Sequence, residues 1–179
     1  AGSEWGGRLV RERRMPRLSA WGRVVDYRVS QLQTMPNVNM YLESPLNADD
    51  IVGFGADHII IATGAKWRGE GVGRHHDEPI TGHDLPHVLC AEDILNDNVP
   101  SGGSVVVYDE DYYYMAAVIA DRLAKAGCKV TYVTTASDPS SGMKPWVTLK
   151  WRSSVVNVRS AYGCQITSTV VVPSMSKVT

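Results

Sequence analysis

The sequence predicts an α/β fold whose strands form a parallel sheet. The middle of the chain alternates apolar, β-branched runs with stretches of helical periodicity, in the order "HIIIATGA" (58–65), "AEDILND" (91–97), "GSVVVYD" (103–109), a helix over 112–126 and "KVTYVTT" (129–135). Such a β-α-β order implies parallel strands joined by right-handed crossovers. Three consecutive isoleucines that end in small residues predict that 58–65 is the clearest buried strand.

The segments before residue 58 are predicted from shorter patterns. Residues 1–9 contain a Gly–Gly pair and are expected to form a loop. The stretch 19–35 carries apolar residues at helical spacing and predicts an amphipathic helix. Alternating apolar residues in "NVNMYLES" (37–44) predict a strand, and 47–57 predicts a short helix with Asn47 as its N-cap.

Beyond Pro139 the periodic signal weakens. The stretch 147–163 is compatible with a helix, although its β-branched and serine residues disfavour one. The stretch 164–172, "CQITSTVVV", predicts a strand. The tail 138–179 is therefore the part of the chain with the weakest prediction.

Composition limits the class of protein. A hydrophobic content of 44% with 21% charged residues is typical of a globular chain, and a net charge of −1 gives no reason to expect a nucleic-acid or membrane partner. Three widely spaced cysteines without a CxxC motif fit a reducing compartment. No apolar stretch reaches the length of a membrane span, and no signal peptide is recognisable. We expect a cytoplasmic protein, and the start "AGSEWGG" indicates a fragment of a larger one.

Two segments have the small residues that a nucleotide needs. The predicted strand ends in Ala-Thr-Gly (62–64), where backbone can approach a ligand closely, although packing alone would also explain small residues there. A Gly–Gly pair at 6–7 precedes Arg8, so that N–H groups and one guanidinium could face a pyrophosphate. Such pairs are also common in ordinary turns.

The turn after the strand 103–109 is predicted to disfavour the binding of a phosphate. In a dinucleotide-binding unit this turn carries G-x-G-x-x-G, but here those places are held by Asp109, Asp111 and Tyr114. A carboxylate about 4 Å from a phosphate charge costs on the order of 4 kcal/mol at an effective dielectric near 20. Asp111 is also predicted to be the N-cap of the following helix. A second nucleotide site is therefore predicted to be closed.

The loop 66–89 collects four histidines and two aspartates, but without a recognised metal-ligand spacing. No serine or cysteine stands in a motif that would pair it with a base. We therefore predict neither a metal site nor a catalytic residue in this chain.

Together these segments resemble the C-terminal nucleotide-binding region of the trimethylamine dehydrogenase family, the flavin and iron–sulfur amine dehydrogenases and N-demethylases related to 2,4-dienoyl-CoA reductase. The resemblance extends from residue 1 to about 136 and is faint in the tail. The segments that carry it are "SEWGGRL", the Gly-Arg pair after Trp21, "NADDIVGFGADHIIIATGAKW", "DEPITGHD", "AEDIL" and "VVVYDEDYYYMAAVIADRLAKAGCKVTYV".

The resemblance implies an incomplete doubly wound sheet of the Rossmann-like, FAD/NAD(P)-binding type. Residues 1–100 would be the remainder of an FAD/ADP-binding-like domain, and 101–179 an NAD(P)-binding-like domain with a degenerate glycine loop. The residues implied to line an adenine nucleotide, ADP or FAD, are Gly6, Gly7, Arg8, Leu9, Ala62, Thr63, Gly64 and Ala65.

By the same resemblance, the parent protein would be an oxidoreductase that oxidises methylated amines. Its N-terminal TIM barrel, FMN and iron–sulfur cluster would lie outside this chain, and its electrons would pass to an electron-transfer flavoprotein. A homodimer is a further expected assembly, and NAD(P)H is not an expected cofactor. The fragment itself is expected to be inactive. The alternatives are an NAD(P)H-dependent flavin reductase related to 2,4-dienoyl-CoA reductase, and a non-catalytic docking module.

Overall fold

The computed structural model describes residues 2–73, 77–136, 140 and 142, together with three strands within 156–175. The chain divides into two compact units, Ala1–Gly64 and Ala65–Thr179. The predicted division at residue 100 concerns the modules of the parent protein and stays a prediction.

The first unit is helical where it is regular. Its helices are α1 (Arg8–Glu12), α2 (Trp21–Thr34) and α3 (Ala48–Gly53). Helix α2 confirms the amphipathic helix predicted over 19–35. Helix α3 begins in a capping box, in which the Asn47 side chain accepts a hydrogen bond from the Asp50 N–H at 2.9 Å and the Asp50 carboxylate accepts one from the Asn47 N–H at 3.0 Å. The predicted Asn47 cap is thereby confirmed.

Two strands predicted in the first unit are wrong. Residues 37–44 and 58–64 form no strand, and Ile59, Ile60 and Ile61 are 52%, 89% and 78% exposed. A strand exists only when a neighbour accepts and donates its backbone hydrogen bonds. None of the described residues of this unit, 2–64, forms a strand, so the isoleucine run has no pairing partner within its own unit. The isoleucine run has a high β propensity, but a strand also needs a second strand with which to pair.

The second unit contains the predicted parallel sheet. Its strands lie in the order β2 (Val88–Cys90), β6 (Thr169–Val172), β3 (Ser104–Asp109), β4 (Lys129–Thr134) and β5 (Val156–Ser160), and every neighbouring pair is parallel. This confirms the α/β class and the parallel sheet. A separate antiparallel pair joins β1 (Trp67–Arg68) to β7 (Ser174–Met175).

The tail is better predicted at its end than at its start. Strand β6 lies inside the predicted strand 164–172, whereas β5 occupies 156–160, within the stretch that the sequence leaves compatible with a helix. The β5 sequence, VNVRS, contains two β-branched valines, which favour a pleated strand over a helix. The remainder of 147–163 lies outside the described residues.

Two helices pack in the second unit. Helix α4 (Ala91–Leu95) contacts β2, and α5 (Tyr114–Lys125) contacts β3 and β4. Val105 and Val107 of β3 are buried, as are Ile119 and Leu123 of α5, which are fully inaccessible. The core of this unit therefore lies between α5 and the strands whose carboxyl ends carry the turn after residue 109.

Gly6 is the position in the first unit where an added methyl group would cost most. Its φ is +112°, and a Cβ there would lie 2.7 Å from Cγ1 of Val25 in α2. We expect Gly6→Ala to lower the free energy of unfolding by about 1–3 kcal/mol through overpacking, before any backbone strain. Urea denaturation of the chain measures this.

Gly53→Ala is the matched control for Gly6→Ala. A Cβ at Gly53, the last residue of α3, has no neighbour within 4 Å. Alanine there should leave stability unchanged or raise it by up to about 1 kcal/mol through helix propensity. Equal effects of the two substitutions would contradict the packing of Gly6 against Val25.

Candidate functional site

The turn between β3 and α5 is organised by one buried carboxylate. Asp109 is the last residue of β3 and is fully buried. Its Oδ1 accepts hydrogen bonds from the N–H groups of Asp111 and Tyr112, each at 3.0 Å. Its Oδ2 accepts one from the Tyr132 hydroxyl of β4 at 2.5 Å. Turn amides of the kind that a glycine-rich loop presents to phosphate are bonded here to a side chain of the chain itself.

A second layer of contacts holds the same turn. The Tyr108 hydroxyl donates to Glu110, a residue only 3% exposed, and the Tyr112 hydroxyl is hydrogen-bonded to Thr135 beyond β4. Tyr112 has a φ of +61°, a conformation that costs a side-chain-bearing residue about 1 kcal/mol or more. The contacts of its amide and hydroxyl compensate for that cost.

The carbonyl of Tyr112 extends this arrangement to residue 142. It accepts a hydrogen bond from the Gly142 N–H at 2.8 Å, and a Cβ on Gly142 would lie 2.9 Å from the same oxygen. Only glycine therefore fits at 142 without displacing the turn. The turn is held from β3, from β4 and from the segment that follows β4.

Burial dominates the electrostatics of this turn. It raises the pKa of Asp109 above its ordinary value, against the lowering effect of the hydrogen bonds from Tyr132 and the two amides. Burial also raises the pKa of Tyr132 and of Tyr108, and the carboxylates of Asp109 and Glu110, respectively, add to that rise. Both phenols therefore keep their protons, and so their role as donors, at any pH near neutrality.

The raised pKa of Asp109 predicts a pH dependence of stability. The native chain holds the Asp109 proton to higher pH than the unfolded chain does, so the associated stability is complete below the unfolded pKa and is lost as the pH rises through the folded one. We expect the free energy of unfolding of the wild type, relative to that of Asp109→Asn, to fall as the pH rises from about 4. Urea denaturation at a series of pH values measures this difference, and a difference that rises with pH would contradict the assignment.

The predicted N-cap at Asp111 is wrong. Helix α5 begins at Tyr114, its N-cap residue is Tyr113, and that residue makes no side-chain capping bond. The reason is the neighbouring carboxylate of Asp109, which already binds the amides of the turn before the helix begins. An aspartate whose side chain accepts from the amide two residues later is a known turn pattern. The sequence pattern could thus have indicated that Asp109 binds the turn amides, but nothing in it indicates that Tyr132 is its partner.

The N-terminal residues predicted to bind a nucleotide lie at the start of α1. Gly7 has a φ of +53° and precedes the helix, where a Cβ would meet nothing within 4 Å. Arg8, the first residue of α1, forms an ion pair with Glu12, Nε to Oε1 at 2.7 Å, and Glu12 is only 1% exposed. Gly7 therefore has room for a ligand, while the Arg8 guanidinium already has a buried carboxylate beside it.

The other predicted nucleotide-binding residues, 62–65, lie in an irregular segment. Residues 62–64 are exposed, and Gly64 has a φ of +80°. Gly64 closes the first unit and Ala65, which is half-buried, opens the second. The structure places residues 6–9 and 62–64 in one unit, and their role in nucleotide binding stays a prediction.

The described part of the chain contains neither a group of metal ligands nor a membrane-spanning helix. Across 2–73, 77–136 and the other described positions, no three His, Cys, Asp or Glu side chains group as metal ligands. His75 and His76 lie outside the described residues. No helix in the described part of the chain is long and apolar enough to cross a bilayer.

Comparison with known proteins identifies the family. The model of the OYE-like second alpha/beta domain matches residues 89–150, which include β3, α5, β4 and the turn of Asp109. The chain is 39% identical over 127 residues to dimethylamine dehydrogenase of Hyphomicrobium sp. (strain x), covering 67% of the chain. It also matches histamine dehydrogenase from Rhizobium sp. 4-9 with a TM-score of 0.84 and 37% identity over 98% of the chain. The chain belongs to the trimethylamine dehydrogenase family.

Another member of the family is more similar in sequence. The chain is 84% identical, over 78% of its length and with a TM-score of 0.74, to 6-hydroxypseudooxynicotine amine oxidase from Pseudomonas geniculata N1. A multifunctional alkene reductase/demethylase of Caballeronia cordobensis is 30% identical over 78% of the chain. The chain spans 17% of the dimethylamine dehydrogenase, 19% of the reductase/demethylase and 21% of the amine oxidase. These relatives confirm an oxidoreductase family of flavin-dependent amine dehydrogenases and OYE-like reductases.

Proposed function

We propose that this chain is the C-terminal nucleotide-binding-type region of a flavin-dependent oxidoreductase that oxidises an amine. The 84% identity to an amine oxidase carries this proposal, since it far exceeds the 30% identity to the reductase/demethylase. The parent would remove a hydride equivalent from the carbon next to nitrogen, and the flavin would accept it. Within the parent, the sheet of the second unit would form part of a doubly wound domain.

The turn of Asp109 supports an amine, rather than a pyridine nucleotide, as the electron donor. A nucleotide diphosphate needs free N–H groups at such a turn, and here the amides of Asp111 and Tyr112 already bind the Asp109 carboxylate. Glu110 and Asp111 add two further carboxylates beside it. The phosphates of NAD(P)H would therefore find these amides already hydrogen-bonded and would be repelled by the neighbouring carboxylates.

We propose that the adenine nucleotide, ADP or FAD, binds at residues 6–9 and 62–65. In this proposal Gly7 supplies an open backbone position and Arg8 contacts a phosphate of ADP or FAD, in exchange for part of its pairing with Glu12. A guanidinium has enough donors to keep one carboxylate and gain one phosphate oxygen. An iron–sulfur cluster and FMN would be held by parts of the parent outside this chain. We further propose that electrons leave through the cluster to an electron-transfer flavoprotein, and that this chain alone does not turn over an amine.

The electron donor is tested by anaerobic mixing of the full-length parent with either 6-hydroxypseudooxynicotine or NADPH. We expect the flavin absorbance to bleach with the amine and to persist with NADPH. Bleaching by NADPH and not by the amine would reject the proposal in favour of an NAD(P)H-dependent reductase, the alternative that the similarity to the alkene reductase/demethylase supports.

The nucleotide assignment is tested by denaturing the purified parent and identifying released nucleotides by chromatography. We expect ADP or FAD in the wild type and less of it in Arg8→Ala. Arg23→Ala is the control, since Arg23 is an exposed arginine of α2. A parent that releases no adenine nucleotide would leave only a structural or docking role for this region.

A further inference from the structure

We propose that the outward face of α2 is a docking surface for a protein electron acceptor whose own docking face is acidic around an apolar centre. The inference rests on the proposed function, in which electrons leave the parent for an electron-transfer flavoprotein, and it names the part of this chain that the acceptor contacts. The residues that define the outward face are Trp21, Arg23, Val24, Tyr27 and Arg28.

Helix α2 packs on one side only. Gly22 and Val25 are its buried residues, and α1 is the helix that it contacts. At about 100° per residue, the positions of the outward face fall in one continuous arc of about 160° that excludes Gly22 and Val25. The apolar side chains of this arc lie in solvent, since Trp21, Val24 and Tyr27 are 47%, 44% and 59% exposed. The helix therefore presents an apolar surface that its own unit leaves uncovered.

The composition of the outward face is that of a protein–protein interface. Trp, Tyr and Arg contribute most of the binding energy at such interfaces, where Lys is depleted. The outward face carries all three of these residue types, and the stretch 8–28 contains seven arginines and no lysine. The Arg28 guanidinium lies 5.9 Å from the centre of the Tyr27 ring, so a cation and an aromatic surface are presented together.

Charge selects the kind of partner that fits this face. The two carboxylates of the stretch 8–28, Glu12 and Asp26, each pair with an arginine that is not part of the outward face. Arg23 and Arg28 are exposed, and within the described part of the chain neither forms an ion pair. An acidic partner is attracted to such a positive surface and associates faster, most strongly at low ionic strength. A small, weak contact of this kind suits an acceptor that leaves after each transfer.

The test is the reduction of the electron-transfer flavoprotein of the same organism by the full-length parent in a stopped-flow mixer. The parent is first reduced with stoichiometric dithionite, so that the two electrons that pass to the acceptor's flavin do not depend on any amine. We expect Arg28→Glu to lower the second-order rate constant about tenfold or more at low salt, and the difference from the wild type to shrink as salt is added. Tyr27→Ala should raise the acceptor concentration that gives the half-maximal rate about tenfold.

Two controls separate docking from a general effect of the substitutions. Lys129→Glu makes the same change of charge at an exposed lysine of the second unit and should react like the wild type. Benzoquinone, a small neutral acceptor that needs no docking surface, should be reduced equally fast by all four proteins. Arg28→Glu should also leave the melting temperature of the parent unchanged.

Equal rates of flavoprotein reduction in the wild type, Arg28→Glu and Tyr27→Ala would overturn the proposal. A wild-type parent that reduces benzoquinone but not the flavoprotein would overturn it as well. Slower benzoquinone reduction or a lower melting temperature in Arg28→Glu would show that the face packs inside the parent, which also contradicts docking. None of these outcomes bears on whether the parent oxidises an amine, because that is measured separately by flavin bleaching with 6-hydroxypseudooxynicotine.

Discussion

Asp109→Leu is expected to lower the free energy of unfolding of the chain by about 3 kcal/mol or more. Leucine shares the branching of aspartate at Cγ but carries methyl groups in place of the acceptor oxygens, so the N–H groups of Asp111 and Tyr112 and the hydroxyl of Tyr132 remain buried without their partner. Each buried donor left unsatisfied costs about 1–3 kcal/mol. Urea denaturation followed by circular dichroism measures the loss.

Two comparisons make the Asp109→Leu result specific. Asp84→Leu, at an exposed aspartate of the same unit, should change stability by less than about 0.5 kcal/mol. Tyr132→Phe should cost less in the Asp109→Leu background than in the wild type, because there the hydroxyl has already lost its acceptor. Additive costs would show that Asp109 and Tyr132 do not interact.

Ile119→Ala is the second substitution with a large expected effect, a loss of about 2–5 kcal/mol. Ile119 is fully buried in α5, which packs on β3 and β4, and truncation leaves a cavity in the core of the second unit. The same denaturation experiment measures it.

Ile60→Ala is the informative counterpart, because sequence and structure predict opposite results. A central buried strand at 58–65 would make this substitution as costly as Ile119→Ala. The structure leaves Ile60 89% exposed, so we expect a change below about 0.5 kcal/mol. A loss of 2 kcal/mol or more at Ile60 would show that the isoleucine run is buried after all.

The sheet of the second unit was predictable because its signals are local. The valines of β3 and the helical spacing of Met115, Ile119 and Leu123 encode a strand and a packed helix, and a parallel arrangement follows from their order. The Asn47 cap was likewise readable from a polar residue ahead of a helical stretch. Such features depend on residues only a few positions apart.

The failures involve partners distant in sequence. The run Ile59–Ile61 has strand propensity, but pairing requires neighbours, and those are not encoded in the run itself. Similarly, the sequence predicts from charge alone that the acidic turn disfavours phosphate, and it does not reveal the hydrogen bonds that the structure shows there. Asp109 binds the turn amides and Tyr132, which lies 23 positions away, and the N-cap residue of α5 is Tyr113 rather than the predicted Asp111. The sequence thus indicates the negative charge of the turn but not the hydrogen bonds that Asp109 makes.

Amide hydrogen exchange at Asp111 and Tyr112, followed by NMR with and without NADPH, tests the closed turn most directly. If the Asp109 carboxylate already binds both amides, they exchange slowly in the chain alone and NADPH changes neither their exchange nor their chemical shifts. Rapid exchange that becomes slow only when NADPH is added would show that the turn is an open phosphate site, and the account given for Asp109 would be wrong.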